Sequence, residues 1–316
     1  MDTSKSAHEE EFTMERPEVQ KANEIIGRQY KVLDHGFIAL VDYMGDDSSI
    51  VQAARVSYGK GTKSVRSDEG LIRYLLRHEH TTPFEMVEFK FLVRMPIFVA
   101  RQWVRHRTAS INEYSGRYSI LKDEFYIPDV SALQAQSMSN RQGREPGNLT
   151  ISAREEAIKE IQDISEKAYG VYSKLINAGV ARELARIVLP VNVYTEWYWK
   201  SNLHNIMHFL SLRTDQHAQW EIRQYAVKMA EIVKTVVPIA YSAFNDFVLS
   251  GIRFSAKEQH ALSAIIEGID IEKACEISGI KLRKDNGSLV KSGEGPEFIE
   301  KMEKMKKSFW GAEKQD

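Results

Sequence analysis

The spacing of apolar and polar positions changes period several times along the chain, and each change marks an element. From Tyr30, "YKVLDHGFIALVDYMG" reads as strand and turn, and "DDSSIVQAARVS" then offers acid and serine caps ahead of an apolar helical pattern. The segment "EGLIRYLLRHEHTTPFE" predicts a helix that stops near Thr82-Pro83, because the residue before a proline is pushed out of the helical region. In "MVEFKFLVR", Val87, Phe89, Phe91 and Val93 alternate with Glu88, Lys90 and Arg94, the period of a half-buried strand. Pro96 suits the first turn of a helix through "IFVARQWVRHR", which would place Arg101, Arg105 and Thr108 on one cationic face.

After Gly116 the pattern loosens. "DVSALQAQSMSNRQGREPGNLT" is poor in large aliphatics and predicts a flexible loop or lid that ends where a helix starts. The rest reads as mainly helical: "ISAREEAIKEIQDISEKAYGVYSKLINAG" stops at a glycine, "ARELARIVLP" stops at a proline, and further helices run from Glu196 to Leu212 and from Ala218 into Phe247. Both strands and helices are therefore expected, in an α+β arrangement. Residues 1–28 form a polar N-terminal arm outside the core, with a short helix at "RPEVQKANEIIG"; residues 29–250 form the core; residues 251–316 form a charged, mainly helical C-terminal extension. Within that extension "EQHALSAIIEGIDIEKACEISGIKLR" has the outline of a helix-turn-helix, whose ordinary reading is helices packing on the core or on a neighbouring subunit.

Composition narrows the classes. With 43% apolar and 28% charged residues the chain is an ordinary globular protein. A net charge of -1 argues against a surface built to track a nucleic acid polymer, so any phosphate is expected in a local pocket. One cysteine, Cys275, leaves no intramolecular disulfide framework and suits a reducing, cytoplasmic setting. The N-terminus lacks the apolar run of a signal peptide, and no stretch approaches the ~20 apolar residues that span a bilayer, so no membrane association is expected.

Candidate chemistry concentrates in "RHRTASINEYSGRYS", Arg105 to Ser119. Guanidinium groups bind planar anions bidentately, and Ser115-Gly116-Arg117 adds a hydroxyl, a backbone that a ligand can approach, and another guanidinium. The alternative is a surface helix end whose arginines pair with nearby acids. In "RELARIVLP", Arg182 and Arg186 would share a helix face at four-residue spacing. "HNIMH" resembles a zinc-binding H-E-x-x-H, but Asn205 stands where the general base belongs, so no metal site is expected. Cys275, in "IEKACEISG", has no adjacent histidine or basic pocket and reads as a packing thiol. No P-loop or Gly-rich dinucleotide fingerprint is present, so a flavin or nucleotide would be held by other means.

These blocks resemble one family. R-H-R, seven residues, then serine, Arg105 through Ser115, is the signature of the flavin-dependent thymidylate synthases. "AARVSYG", "HEHTTPFE", "PIFVARQWVRHR", "SGRYS", "EFYIP", "ARIVLP" and "LRTDQHAQWEIR" follow the family in order, over about Tyr30 to Phe247. The resemblance implies the family's α+β fold with a mixed or antiparallel sheet and long helices, a homotetramer, and active sites built at subunit interfaces with FAD across them. It implies conversion of dUMP to dTMP, with 5,10-methylenetetrahydrofolate as carbon donor, reduced flavin as hydride donor and NADPH as the flavin's reductant. By resemblance, dUMP would meet Gln102, Trp103, Val104, Arg105, Glu113, Tyr114, Ser115, Gly116, Arg117, Arg186 and Arg213. Arg213 is the implied catalytic residue, contacting the uracil and favouring its N3-deprotonated form. FAD would meet His80, Thr82, Arg105, His106, Arg107, Thr108, Glu113, Asn202, His204 and His208, although relatives often carry arginine at the position of His204 and some carry asparagine at that of His208. Two other readings stay open at this level: a pocket retained without catalysis, and a nucleic-acid module using the Arg-His-Arg cluster, which predicts steeply salt-dependent binding to long polymers.

Overall fold

The computed structural model describes residues 16–56, 67–137, 143–145 and 147–312. The chain divides into two compact units, the first comprising residues 1–133 and 149–247 and the second residues 134–148 and 248–316.

The first unit is built on a five-stranded antiparallel sheet in the spatial order Tyr30–Val32, Gly36–Met44, Glu88–Pro96, Tyr194–Asn202, Ser110–Glu113. Its opening elements are α1 (Gln20–Asn23), β1 (Tyr30–Val32), β2 (Gly36–Met44), α2 (Asp47–Val56), α3 (Asp68–Arg77), α4 (Thr82–Glu85), β3 (Glu88–Pro96), α5 (Ile97–Trp103) and β4 (Ser110–Glu113). Residues 57–59 of the "AARVSYG" block lie outside the described residues. Alternation in β3 behaves as its sequence predicts, with Phe89, Phe91, Val93 and Met95 all fully buried. Residues 16–28 are not outside the core. Ala22 is buried, the Tyr43 hydroxyl donates to Asn23 Oδ1 at 2.7 Å, and the Gly27 amide donates to the Leu40 carbonyl at 2.8 Å.

After the 134–148 segment, which carries β5 (Ala135–Gln136) and β6 (Arg144–Glu145) and belongs to the second unit, the first unit resumes. It continues through α6 (Ile151–Asn177), α7 (Arg182–Ala185), β7 (Tyr194–Asn202), α8 (Leu203–Arg213), α9 (Trp220–Val236) and α10 (Pro238–Phe244). The predicted lid is thus partly a short hairpin, and its residues 138–142 and 146 lie outside the described residues.

Several elements differ from their sequence reading. α3 ends at Arg77, because Glu79 takes a left-handed φ of 57°, and Pro83 falls in the first turn of α4, where its missing N–H costs nothing. α5 ends at Trp103, so Arg105 and Thr108 leave the helix and the single cationic face does not form. Residues 194–202 are a strand rather than the start of a helix: Thr195, Trp197, Trp199 and Ser201 are buried on the period of two, and the residues are mostly strand formers. The long final helix breaks at Val237 (φ -128°, ψ 67°), and Pro238 starts a new one.

The second unit has its own small core. α11 (Ala256–Ile266), α12 (Ile271–Ile277) and α13 (Glu294–Ala312) enclose Ala261, Ala274, Cys275, Ile280 and Phe298. Ser255 and Glu258 form a capping box at the start of α11, and Lys301 of α13 donates to both Glu258 oxygens at 2.7 and 2.9 Å. The helix pair that resembles a DNA-binding motif therefore spends its apolar face on an internal core. No helix of the described residues is long and apolar enough to cross a membrane.

Candidate active site

Trp103, the last residue of α5, is 0% exposed. Its ring lies 4.7 Å from Phe209, 5.7 Å from Trp199, 5.9 Å from Trp197 and 6.1 Å from Tyr225 between centroids. This aromatic knot fixes the point at which the chain leaves the helix, and Arg105-His106-Arg107 follows at once. The indole is a core group, so a dUMP contact through the Trp103 side chain does not fit this burial. Val104, by contrast, is exposed at the helix end.

The connection delivers the chain to β4, which pairs with β7 from Ser110↔Lys200 to Glu113↔Trp197. All four β4 residues are exposed, so the alternation that betrays a strand is missing, and the sequence reads as loop. Beyond it the Tyr114 amide donates to the Glu196 carbonyl at 2.8 Å. Here a cavity of about 300 Å³ opens, lined by Glu113, Tyr114, Ser115, Gly116, Arg186 and Thr195 along with Ile97, Leu121 and the 189–193 turn. Thr195 Oγ1 donates to Glu113 Oε1 at 2.6 Å, which fixes the carboxylate at the rim. A Cβ on Gly116 would meet Arg186 Cδ and Leu121 Cδ1, both at 3.3 Å, so glycine lets the arginine stem lie against the backbone.

Arg182 and Arg186 diverge. The backbone tightens into a 3-10 turn over Arg186–Val188, where four-residue spacing no longer shares a face. Arg182 donates to the Tyr118 carbonyl, whereas Arg186 lines the cavity. Arg117 is half committed, with Nε 3.3 Å from Glu183 Oε2 across an exposed pair. Arg105, Arg107 and Arg186 make no hydrogen bond or ion pair among the described residues. Within the Arg105–Ser119 stretch the ion-paired alternative therefore holds for Arg117 and not for Arg105 or Arg107.

His106 and Arg213 form the second cluster. Arg213 Nε donates to His106 Nε2 at 3.0 Å, which assigns the imidazole proton to Nδ1. The His106 ring lies 4.9 Å from Phe209 and 5.9 Å from His208. Burial, then the Arg213 charge, then His208 lower its pKa to about 4, and burial also pulls the Arg213 pKa below its usual value. The folded value lies below the unfolded 6.5, so this contribution to stability is full above about pH 6.5 and is lost as pH falls toward 4. We expect His106→Gln to flatten the fall in melting temperature over that window, relative to wild type in the same buffers.

On α8, the Asn202 side chain caps the helix, accepting from the Asn205 amide at 3.0 Å, so only its Nδ2 remains to donate to a ligand. His204 and His208 follow one turn apart on the same helix. Thr82 opens α4, which packs on α8, and His80 precedes it with its ring 5.9 Å from Tyr74; both side chains are exposed. The Thr108 carbonyl accepts from Ser201 Oγ at 3.0 Å. Sequence reasoning assigns no role to three residues: Thr195, just ahead of a stretch that reads as helix, and Gln219 and Glu221, which are linked to Gln102 by side-chain hydrogen bonds. For the latter pair the only signal is their place in "LRTDQHAQWEIR".

Fold and site together define a class: an α+β protein with an antiparallel sheet and an arginine-lined cavity at the end of its edge strand. The profile of the family described as thymidylate synthase complementing protein matches residues 39–239. A flavin-dependent thymidylate synthase of Thermus thermophilus is 57% identical over 249 residues, spanning 79% of this chain and 90% of the relative. One from Rickettsia conorii is 53% identical over 268 residues, spanning 81% and 91%. Among solved structures, a UMP/dUMP methylase, PolB, from Streptomyces cacaoi bound with 5-Br dUMP is similar with a TM-score of 0.62 and 34% identity, covering 70% of this chain and 99% of that one. The chain belongs to the flavin-dependent thymidylate synthase family.

Proposed function

We propose that this chain converts dUMP to dTMP, with 5,10-methylenetetrahydrofolate as carbon donor, FAD as resident cofactor and NADPH as the reductant, in a cytoplasmic homotetramer. The observation that carries the reading is the cavity that Arg186, Ser115 and Gly116 line, with Arg186 uncommitted to any carboxylate among the described residues, together with two further uncommitted guanidinium groups, Arg105 and Arg107, on the connection from α5 to β4. Arg186, the Ser115 hydroxyl and the Gly116 backbone receive the nucleotide phosphate. Exposed Arg105 and Arg107, with His208 and Asn202 Nδ2, supply donors that fit the diphosphate and ring edge of FAD. When bound and reduced, FAD supplies the hydride. Tyr118 and Ile187, each 76% exposed near the cavity, support a neighbouring copy covering the site.

Arg213 has five N–H groups and gives only Nε–H to His106, so four remain for the pyrimidine. Neutral His106 holds the guanidinium without cancelling its charge, and that charge stabilises uracil deprotonated at N3, enriching C5 in electron density. Ser115 Oγ accepts from the Arg117 amide at 3.3 Å and has no base as a partner among the described residues, which supports binding rather than attack.

A thiolate route to uracil C6 has no candidate. Cys275 is 0% exposed in the second unit, and burial followed by Asp270 and Glu272 raises its thiol pKa, the reverse of what a nucleophile needs. We expect Cys275→Ala to cost about 1–2 kcal/mol of stability, read as a lower melting temperature, and to leave dTMP formation intact. The direct test of the function is the absorption spectrum of FAD-supplemented protein, its anaerobic bleaching by NADPH, and dTMP formation on adding dUMP and the folate. Protein that neither binds flavin nor makes dTMP would be a scaffold without its chemistry.

A further inference from the structure

Gln102, on the last turn of α5, is among the residues that the family resemblance sets against dUMP, and the inference rests on that contact and on the function proposed above. Its Nε2 donates to Gln219 Oε1, Gln219 Nε2 donates to Glu221 Oε2 at 3.0 Å, and the Tyr126 hydroxyl donates to Glu221 Oε1 at 3.1 Å. Gln219 is the residue ahead of α9 and makes no side-chain cap to that helix; its amide is turned to this chain of bonds instead. Glu221 is 3% exposed, a burial unusual for a carboxylate.

The direction of these bonds follows from chemistry. A carboxylate only accepts, so Gln219 must give it the NH2 end of its amide and present its carbonyl oxygen to Gln102. Gln102 must then donate with its own NH2, which leaves Oε1 and one N–H for a ligand. A free glutamine can turn its amide over at little cost, because its two ends are nearly the same size. Here the buried carboxylate forbids the turn from two residues away. We propose that Glu221, acting through Gln219, is a positioning residue that fixes which end of the Gln102 amide meets the nucleotide.

Glu221→Gln keeps the shape but can donate as well as accept, so both amides become free to reverse. In the FAD-loaded full chain we expect KM for dUMP to rise about five- to twenty-fold, with kcat within about two-fold, flavin content unchanged and melting temperature within a few degrees. In a Gln102→Ala background the same Glu221→Gln change should add less than two-fold to KM, because the amide it orients is gone. Equal effects of Glu221→Gln in both backgrounds, or an unchanged KM in the single variant, would overturn the proposal. Glu221→Asp provides a second variant with the carboxylate retained; a KM nearer to wild type than that of Glu221→Gln supports the acceptor-only argument, and a larger loss with no fall in melting temperature contradicts it. If wild-type protein itself fails to bind dUMP, the functional reading falls and takes this proposal with it, a result read without any variant.

Discussion

Arg213→Ala is expected to remain yellow and to lose dTMP formation by at least about a hundred-fold in kcat, the scale of removing one donor aimed at a developing anion. The flavin contacts assigned above fall on other side chains, so FAD content, measured by absorbance after gel filtration, should hold within a few-fold. The change also removes the charge beside His106, the second cause of its low pKa, and so moves that pKa upward from about 4. A pH titration of the variant should therefore show His106 protonating at higher pH than in wild type. Arg213→Lys discriminates further. A lysine carries the charge as a point and cannot both bond His106 Nε2 and present a planar fork, so intermediate activity is expected. Full turnover by Arg213→Ala would sink the assignment of this residue to uracil activation.

The sequence shows the site more clearly than the fold that carries it, for physical reasons. β3 is legible because it is buried on one face, and Phe89, Phe91 and Val93 alternate with charges. β7 carries the same alternation in Trp197, Trp199 and Ser201, but it runs without a break into α8, and the capping role of Asn202 is what separates them. β4 has no buried face at all and is a strand only because β7 offers it an edge. The arginines announce an anion because their number and spacing need no three-dimensional argument. Which of them is free does need one: Arg182 and Arg117 find partners, whereas Arg186, four residues from Arg182, is released by a 3-10 turn that no spacing rule foresees. Gln219 and Glu221 are illegible for a related reason, since Glu221 reaches Gln102 only through Gln219, whose bond to Gln102 closes over more than a hundred residues of chain.

Trp103→Ala is expected to destabilise the first unit by about 3–5 kcal/mol, a large part of the whole stability of an ordinary domain. The indole fills the centre of the knot formed by Trp197, Trp199, Phe209 and Tyr225, and no neighbour can collapse into the space without moving β7 or α8. Its Nε1 has no hydrogen-bond partner among the described residues, so the ring is held by packing. Trp103→Phe should therefore keep most of the stability, losing volume but no hydrogen bond, and should bind dUMP nearly as wild type does. The alternative, in which the Trp103 side chain touches the nucleotide, predicts the reverse for Trp103→Phe: an unchanged melting temperature with a raised KM. Measuring both quantities on both variants decides between them. If packing is the role, the knot sets the exit of α5, and with it where Arg105 and His106 stand, so partial loss of the knot should weaken ligand binding only in step with loss of the fold.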